Sequence, residues 1–306
     1  MMKILVTGWH GFLGFNLTQL LLENSYQVFG ASRSCPPRLA NYCSHDYFTY
    51  ISCDISDPRD LKKLPHVDFV VHLAGNTSAS ASNKSPRFDF EQNLIGTFNL
   101  LEWASRGEPT PFILSSTAKI YPLGDNIPRS FYGTSKYAAD IYAQEFQSNL
   151  SLPLIINRFV TLYGPHQYSF SAPDKSWVNW FIQANLQGKS ITLAGNGDQR
   201  RDPLYVLDAA HLILKQIKTP EMMNNIFDVG GGVSLVTTPR DVVRKIVYLT
   251  KNDFTKTIWR DLRIDEKPTF IADISKLEPY WKPKTGLHSG LASTLQWMRK
   301  TVEHYA

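Results

Sequence analysis

The chain has 306 residues, 43% hydrophobic and 19% charged, a balance that can bury a large core and excludes an intrinsically disordered chain. The 32 basic residues exceed the 27 acidic ones only mildly and lie scattered, so a nucleic-acid partner is not expected, although a small phosphate-bearing molecule would suit the sign. No apolar run approaches the roughly 18 residues of a membrane span, and Met1-Met2-Lys3 leads straight into Ile4-Leu5-Val6 without a signal-peptide core, so a cytoplasmic chain with no membrane partner is expected.

Lys3–Thr7 reads as a buried strand and Phe12–Glu23 as a helix with Phe12, Phe15 and Leu20 on one face. Val28–Ala31, Ile51–Cys53, Asp68–Ala74, Phe112–Ser115 and Leu154–Asn157 are the next predicted strands, with helical spacing at about Phe90–Ala104 and Tyr132–Gln147. Continuous apolar strands alternating with helices predict an α/β fold, a doubly wound parallel sheet covered on both faces. Beyond residue 165 the rhythm changes: a loop over Pro165–Pro173, a helix at Trp177–Leu186, a strand at Ile191–Leu193 and a turn at Gly195-Asn196-Gly197-Asp198. Helices at about Val206–Lys218, Pro239–Leu249 and Ser289–Val302 follow. The expectation is a large domain over 1–165 and a smaller C-terminal α+β substrate domain over 166–306, with the chain crossing back around 203–230. Cys35, Cys43 and Cys53, spaced eight and ten apart, match no zinc signature and are expected to be reduced thiols; no metal is expected.

Thr7-Gly8-Trp9-His10-Gly11-Phe12-Leu13-Gly14 lies directly between the first strand and the first helix. That is the context of a dinucleotide-binding Rossmann fold. Gly8 permits the tight turn, Gly11 lets the backbone approach a pyrophosphate, and Gly14 allows the helix to pack on the strand. Gly8, His10, Gly11, Phe12 and Leu13 are the candidate phosphate contacts. After the second strand, Ala31-Ser32-Arg33 carries no acid and one arginine. An acid there would accept from the ribose hydroxyls, whereas Ser32 and Arg33 favour NADP, with NAD the alternative. Asp54 and Ile55 are expected at the adenine edge, and Leu73, Ala74 and Gly75 beside the cofactor crevice.

Tyr132 and Lys136 stand four apart and share a helical face,. A phenol with a pKa of about 10 is a poor base, and bringing it near neutrality asks for about 4 kcal/mol of differential stabilisation. The Lys136 ammonium and an oxidised nicotinamide are the expected sources. Thr117, at the end of Leu114-Ser115-Ser116-Thr117, places a hydroxyl where it can meet the substrate while Tyr132 moves the proton.

With these motifs the sequence resembles the extended short-chain dehydrogenase/reductase superfamily, in its nucleotide-sugar epimerase/dehydratase branch. The resemblance runs nearly end to end, through Asn93-Leu94-Ile95-Gly96-Thr97, Arg158 to Tyr163-Gly164-Pro165, Gly195 to Asp202, Phe227-Asp228-Val229-Gly230-Gly231 and Ala272-Asp273-Ile274-Ser275-Lys276. His72-Leu73-Ala74-Gly75, Asp89 to Asn93, Ser115 to Lys119, Ala138-Ala139-Asp140 and Trp177 to Phe181 are similar to the CDP-paratose 2-epimerase subgroup. The resemblance implies Thr117, Tyr132 and Lys136 as catalytic residues, with Asn93, Ser115, Tyr132 and Lys136 also facing the cofactor. It implies a nucleotide-diphosphate sugar as substrate, touched by Asn76, Thr117, Thr161, Arg201 and Arg263, with Trp177 and Trp180 as wall residues or core. A homodimer formed through helices of the large domain is also implied.

Four departures qualify that likeness. Gly30 stands where the 2-epimerases carry an acid, and Thr161 where an asparagine is common. Tyr132 follows Thr117 by only fifteen positions, which predicts a shorter lid. Ala118-Lys119 replaces the acidic pair of 4,6-dehydratases, which disfavours water elimination because that step needs a further acid and base. The expected function is an NAD(P)-dependent epimerase acting at C2 or C4 of the sugar. The alternatives are an NADPH-dependent 4-keto-sugar reductase and, in another class, a non-catalytic dinucleotide sensor or scaffold.

Overall fold

A computed structural model describes residues 1–122, 130–167, 176–253, 256–262 and 268–305. The chain divides into two compact units, Met1–Phe159 with Ala210–Phe227, and Val160–Ala209 with Asp228–Ala306.

The first unit begins with β1 (Lys3–Thr7), α1 (Phe12–Glu23), β2 (Gln27–Ser32), β3 (Phe48–Ser52) and β4 (Phe69–His72). A helical stretch then runs through α2 (Ala79–Lys84), α3 (Pro86–Phe90), a π turn at Glu91–Ile95 and α4 (Gly96–Ala104). β5 (Phe112–Thr117), α5 (Phe131–Leu150) and β6 (Leu154–Phe159) complete its continuous part. Beyond it come β7 (Leu162–Tyr163), α6 (Trp177–Leu186), β8 (Ile191–Ala194), β9 (Leu204–Tyr205), α7 (Val206–Ile217) and β10 (Asn225–Val229). α8 (Pro239–Thr250), β11 (Thr257–Arg260) and α9 (Leu287–Tyr305) close the chain.

Seven strands form one sheet in the order β10-β6-β5-β4-β1-β2-β3, and the five pairings from β6 to β3 are all parallel. This is the doubly wound order, with its reversal between β1 and β4, where the carboxyl ends of the strands leave a crevice. Ile4, Leu5 and Val6 are wholly buried, as unbroken apolar runs in a sheet covered on both faces must be; each such side chain contributes about 1.5–3 kcal/mol.

Two features differ from the sequence expectation. The first crossing between units falls at Phe159/Val160 because Leu162–Tyr163 pairs with Leu204–Tyr205 rather than with the large sheet. The seventh strand, Asn225–Val229, went unread because Asn225 and Asp228 interrupt its apolar run. In the second unit β8 pairs in parallel with β11, and Val178, Phe181, Ile182, Val242, Ile246 and Leu295 form its buried core.

Candidate active site

Gly8 has φ +68°, and a side chain there would meet the Ala74 backbone at 2.8 Å. The turn is closed by Gly11 N–H donating to the Gly8 carbonyl at 2.9 Å. Gly14 lies against that same carbonyl so closely that no side chain fits. The turn delivers the chain into α1 at Gly11, which offers no side-chain cap, and the first turn of the helix holds no acid. First-turn N–H groups, which have no intrahelical partner, and the macrodipole suit an anion, and Gly8 to Leu13 could supply that cradle. A dinucleotide pyrophosphate fits the residues present.

Trp9 explains why no acid stands at Gly30. Its wholly buried indole and the Phe48 ring, 4.7 Å apart centre to centre, fill the space a side chain at Gly30 would need. Trp9 Nε1 donates to Ser32 Oγ at 3.1 Å, and Ser32 Oγ–H to the Ser34 carbonyl at 3.0 Å. Arg33 is exposed, with its guanidinium 5.5 Å from the Phe88 ring centre. The His10 ring sits edge-on to Trp9 at 5.8 Å. Asp54 Oδ1 accepts from Ser56 N–H and Oγ–H at 3.0 and 2.7 Å, and buried Ile55 packs on Gly96. Leu73 N–H donates to the Thr7 carbonyl at 3.2 Å, and Ala74 N–H to Thr7 Oγ1 at 3.3 Å.

The phenol, ammonium and hydroxyl come from two elements of the first unit. Ser130 caps α5 by accepting from Gly133 N–H at 3.0 Å, which sets Tyr132 and Lys136 one helical turn apart. Thr117 ends β5, and its Oγ1 accepts from Lys119 N–H at 3.3 Å. Thr117 lies close enough to Tyr132 to lower the phenol's pKa in part, in the sense that favours the phenolate,. Burial nevertheless dominates: desolvation raises the Tyr132 pKa, Thr117 lowers it in part, and the Asp89 carboxylate raises it again. Lys136 is not among the groups that shift Tyr132 here. Its Nζ donates instead to the Ser115 carbonyl at 2.5 Å. Burial takes the Lys136 pKa down to about 8, with Asp140 and Asp89 opposing.

Asp89, which the sequence offers only within a family-like phrase and without a role, organises this face. Its Oδ1 accepts from Asn76 Nδ2 at 2.7 Å and Asn93 Nδ2 at 3.0 Å, and its Oδ2 from Ser135 Oγ at 2.6 Å. Asn93 Nδ2 also reaches Ser135 Oγ at 3.1 Å, while its Oδ1 accepts from Asn76 N–H at 2.8 Å. Asn76 Oδ1 accepts from Ser78 N–H at 3.1 Å. The amides of Asn93 and Asn76, expected to touch cofactor and substrate, are thus turned inward to hold the loop after β4. A lone acid on an amphipathic helix carries no sequence signal that sets it apart from a solvated one.

The remaining expected substrate residues lie in the second unit. Thr161 gives its carbonyl to Leu204 N–H at 2.9 Å. Trp177 and Trp180 pack half-buried on the apolar cluster, Trp177 edge-on to Phe181 at 5.6 Å. Arg201 Nη1 donates to the Arg200 carbonyl at 2.8 Å, and Asp202 Oδ2 accepts from Gly232 and Ala272 N–H at 3.0 and 3.1 Å. Arg263 lies outside the described residues. Among the described residues no group of three or more metal-ligating side chains converges, and no helix is long and apolar enough to cross a membrane.

A parallel sheet in this order, with a glycine turn after its first strand and a hydroxyl, a phenol and a lysine after its fifth, defines a dinucleotide-binding enzyme of the short-chain dehydrogenase/reductase type,. Residues 4–230 match the NAD dependent epimerase/dehydratase family, and the chain belongs to it. It is an enzyme of that family, with a nicotinamide dinucleotide as cofactor. It is 28% identical to a CDP-paratose 2-epimerase of Salmonella typhi over 97% of this chain and 99% of that one. The crystal structure of a Thermotoga maritima UDP-glucose 4-epimerase with UDP-glucose superposes with a TM-score of 0.88 at 27% identity, covering 98% of this chain and all of that one. A Bacillus cereus UDP-glucuronic acid 4-epimerase in complex with UDP-glucuronic acid and NAD gives 0.86 at 26%, over 98% and 100% of the two chains.

Proposed function

We propose that the protein is a nucleotide-sugar epimerase that inverts C2 or C4 of the sugar by removing hydride and returning it to the opposite face. The observation that carries this reading is the placing of Thr117 at the end of β5 and of Tyr132 and Lys136 on the first turns of α5, in the same unit as the glycine turn. A bound nicotinamide dinucleotide supplies the hydride acceptor, and its oxidised ring carries a positive charge that favours the phenolate. Tyr132 takes the proton from the sugar hydroxyl and gives it back after the keto sugar has turned. Thr117 donates to the phenolate oxygen as it forms. Lys136, poised at about 8 by burial, holds the Ser115 carbonyl and keeps a cation beside the helix face that carries the phenol. The 2- and 4-epimerases among the relatives support a nucleoside-diphosphate sugar as substrate.

The rim after β2 supports NADP, since Gly30 has no room for an acid and Arg33 is exposed beside Ser32. Comparing the dissociation constants of NADP and NAD tests this. Tighter NAD binding, as the Bacillus cereus relative's complex would suggest, overturns it. Arg33 also favours a second reading, a 4-keto-sugar reductase drawing on exchangeable NADPH. Dinucleotide retained through purification supports the epimerase, and an empty site that accepts NADPH supports the reductase. Exposed Tyr137, Ile141 and Tyr142 on α5, with Phe88 and Phe90 on α3, support a homodimer formed through these helices, which sedimentation would test.

The deciding experiment is Tyr132→Phe assayed for interconversion of CDP- and UDP-sugars. Turnover is expected to fall by about 10²–10⁴-fold with dinucleotide affinity unchanged. Turnover that survives the change overturns the reading.

A further inference from the structure

Cys35 and Cys43 lie outside the residues assigned to catalysis, yet their Sγ atoms are 3.5 Å apart. Eight positions separate them in sequence, and the 3-10 helix Pro37–Ser44 brings them together. We propose that Cys35 and Cys43 form a reversible disulfide that closes the loop after β2 and weakens dinucleotide binding; the second half rests on the cofactor site proposed above.

The two sulfurs are in non-bonded contact, and a disulfide requires about 2.0 Å. The loop transmits the closure unequally. On the Cys43 side the chain is tied to α1, because Gln19 Nε2 donates to Tyr42 Oη at 2.8 Å, the Tyr42 ring meets Phe15 edge-on at 5.2 Å, and Leu39 is buried. On the Cys35 side Ser32 is held in the β2–β3 ladder, with Cys53 N–H donating to its carbonyl at 3.0 Å and Trp9 Nε1 to its Oγ at 3.1 Å, whereas Arg33 and Ser34 carry lighter ties, Ser32 Oγ–H to the Ser34 carbonyl at 3.0 Å and Ser52 Oγ–H to the Arg33 carbonyl at 3.5 Å. Drawing Cys35 toward an anchored Cys43 therefore displaces Arg33 and Ser34, which lie just beyond the end of β2.

The two thiols have distinct parts. Cys43 is exposed and Cys35 half-buried, so Cys43 meets a small-molecule disulfide first. Burial and the adjacent Cys43 sulfur hold the Cys35 thiol above its ordinary range. The Cys43 thiolate attacks the small disulfide, forming a mixed disulfide and releasing one thiol. Cys35 then attacks Cys43 Sγ and releases the second thiol. The two cysteine protons end on the two released thiols, so the pair is oxidised by two electrons as the small disulfide is reduced. Cys53 takes no part, being buried and pushed up to about 11 by desolvation and Asp60.

The test equilibrates the full chain in glutathione/glutathione disulfide buffers and reads disulfides by peptide mass mapping and dinucleotide affinity by fluorescence. A Cys35–Cys43 crosslink reversed by dithiothreitol is expected, with the dinucleotide dissociation constant about fivefold or more higher in the oxidised form. Cys43→Ser and Cys35→Ser should each keep the affinity of the reduced protein in every buffer. Absence of the crosslink in the most oxidising buffer, a crosslink that leaves affinity unchanged, or an affinity loss that persists in Cys43→Ser would each overturn the proposal. A reduced protein that binds no dinucleotide would contradict the cofactor reading and with it the second half of this proposal, while the crosslink in the mass map stands or falls separately.

Discussion

At the scale of single residues, the most demanding charge in the first unit is Asp140. Its side chain is 0% exposed, and burial pushes its pKa up while Arg158 pulls it back. Arg158 Nε donates to Asp140 Oδ2 at 2.8 Å, with Nη2 paired to the same oxygen at 2.8 Å, and Nη1 donates to Tyr121 Oη at 3.0 Å. Removing one partner of such a pair leaves an uncompensated buried charge, which costs about 3–5 kcal/mol. Arg158→Leu should therefore lower the unfolding free energy by about that much in a urea titration, and Asp140→Asn/Arg158→Leu should recover most of it. A loss under about 1 kcal/mol in the single variant would mean that water reaches Asp140. Asp140 also supports the Lys136 ammonium one turn earlier, so the pair links stability to the catalytic face. Of these residues, Tyr132, Lys136 and Thr117 are legible in the sequence because their spacing and strand-end position encode the chemistry. Asp89 and Asp140 are not, since an acid on a helix reveals its partners only once the helix is packed.

At the scale of elements, β1, β4 and α4 are pinned by one imidazole. Thr97 Oγ1–H donates to the Asn93 carbonyl at 2.6 Å, so it accepts from His72 Nε2–H at 2.9 Å. His72 Nδ1 is then the acceptor for Thr7 Oγ1–H at 2.7 Å, which fixes the neutral tautomer. Burial and the Lys136 charge hold the His72 pKa down to about 3, against an ordinary 6.5. The unfolded chain thus takes up a proton near pH 6.5 that the folded one refuses. Stability from this site is complete above that pH and is lost as pH falls toward about 3,. His72→Gln removes the titration and should flatten the slope of unfolding free energy between pH 7 and 4; an unchanged slope would assign it to carboxylates alone. The strands that hold this chain were readable because their apolar runs are continuous. The π turn at Glu91–Ile95, which interrupts the helix leading to Thr97, was not, since helical periodicity does not register a single extra residue.

At the scale of the whole molecule, the chain leaves the first unit after Phe159 and returns at Ala210–Phe227. The returning segment is fastened to β6 by a reciprocal amide pair, Asn157 Nδ2 to Gln216 Oε1 and Gln216 Nε2 to Asn157 Oδ1, each at 2.8 Å and fully buried. Asn224 Oδ1 accepts from Leu154 N–H at 3.1 Å beside it. The sequence expectation of a return around 203–230 followed from helix and resemblance alone, because neither amide carries a periodic signal. Deleting one side of a buried pair costs the desolvation of the orphaned partner, about 1–3 kcal/mol, whereas replacing both by apolar groups is close to neutral. Asn157→Leu and Gln216→Leu should each destabilise by that amount, and the double variant should be markedly more stable than their sum predicts, a coupling that a double-mutant cycle on urea midpoints measures. Strict additivity would mean that the returning segment is held by apolar contacts such as Ile213 and Phe227, and that the amide pair merely satisfies its own hydrogen bonds.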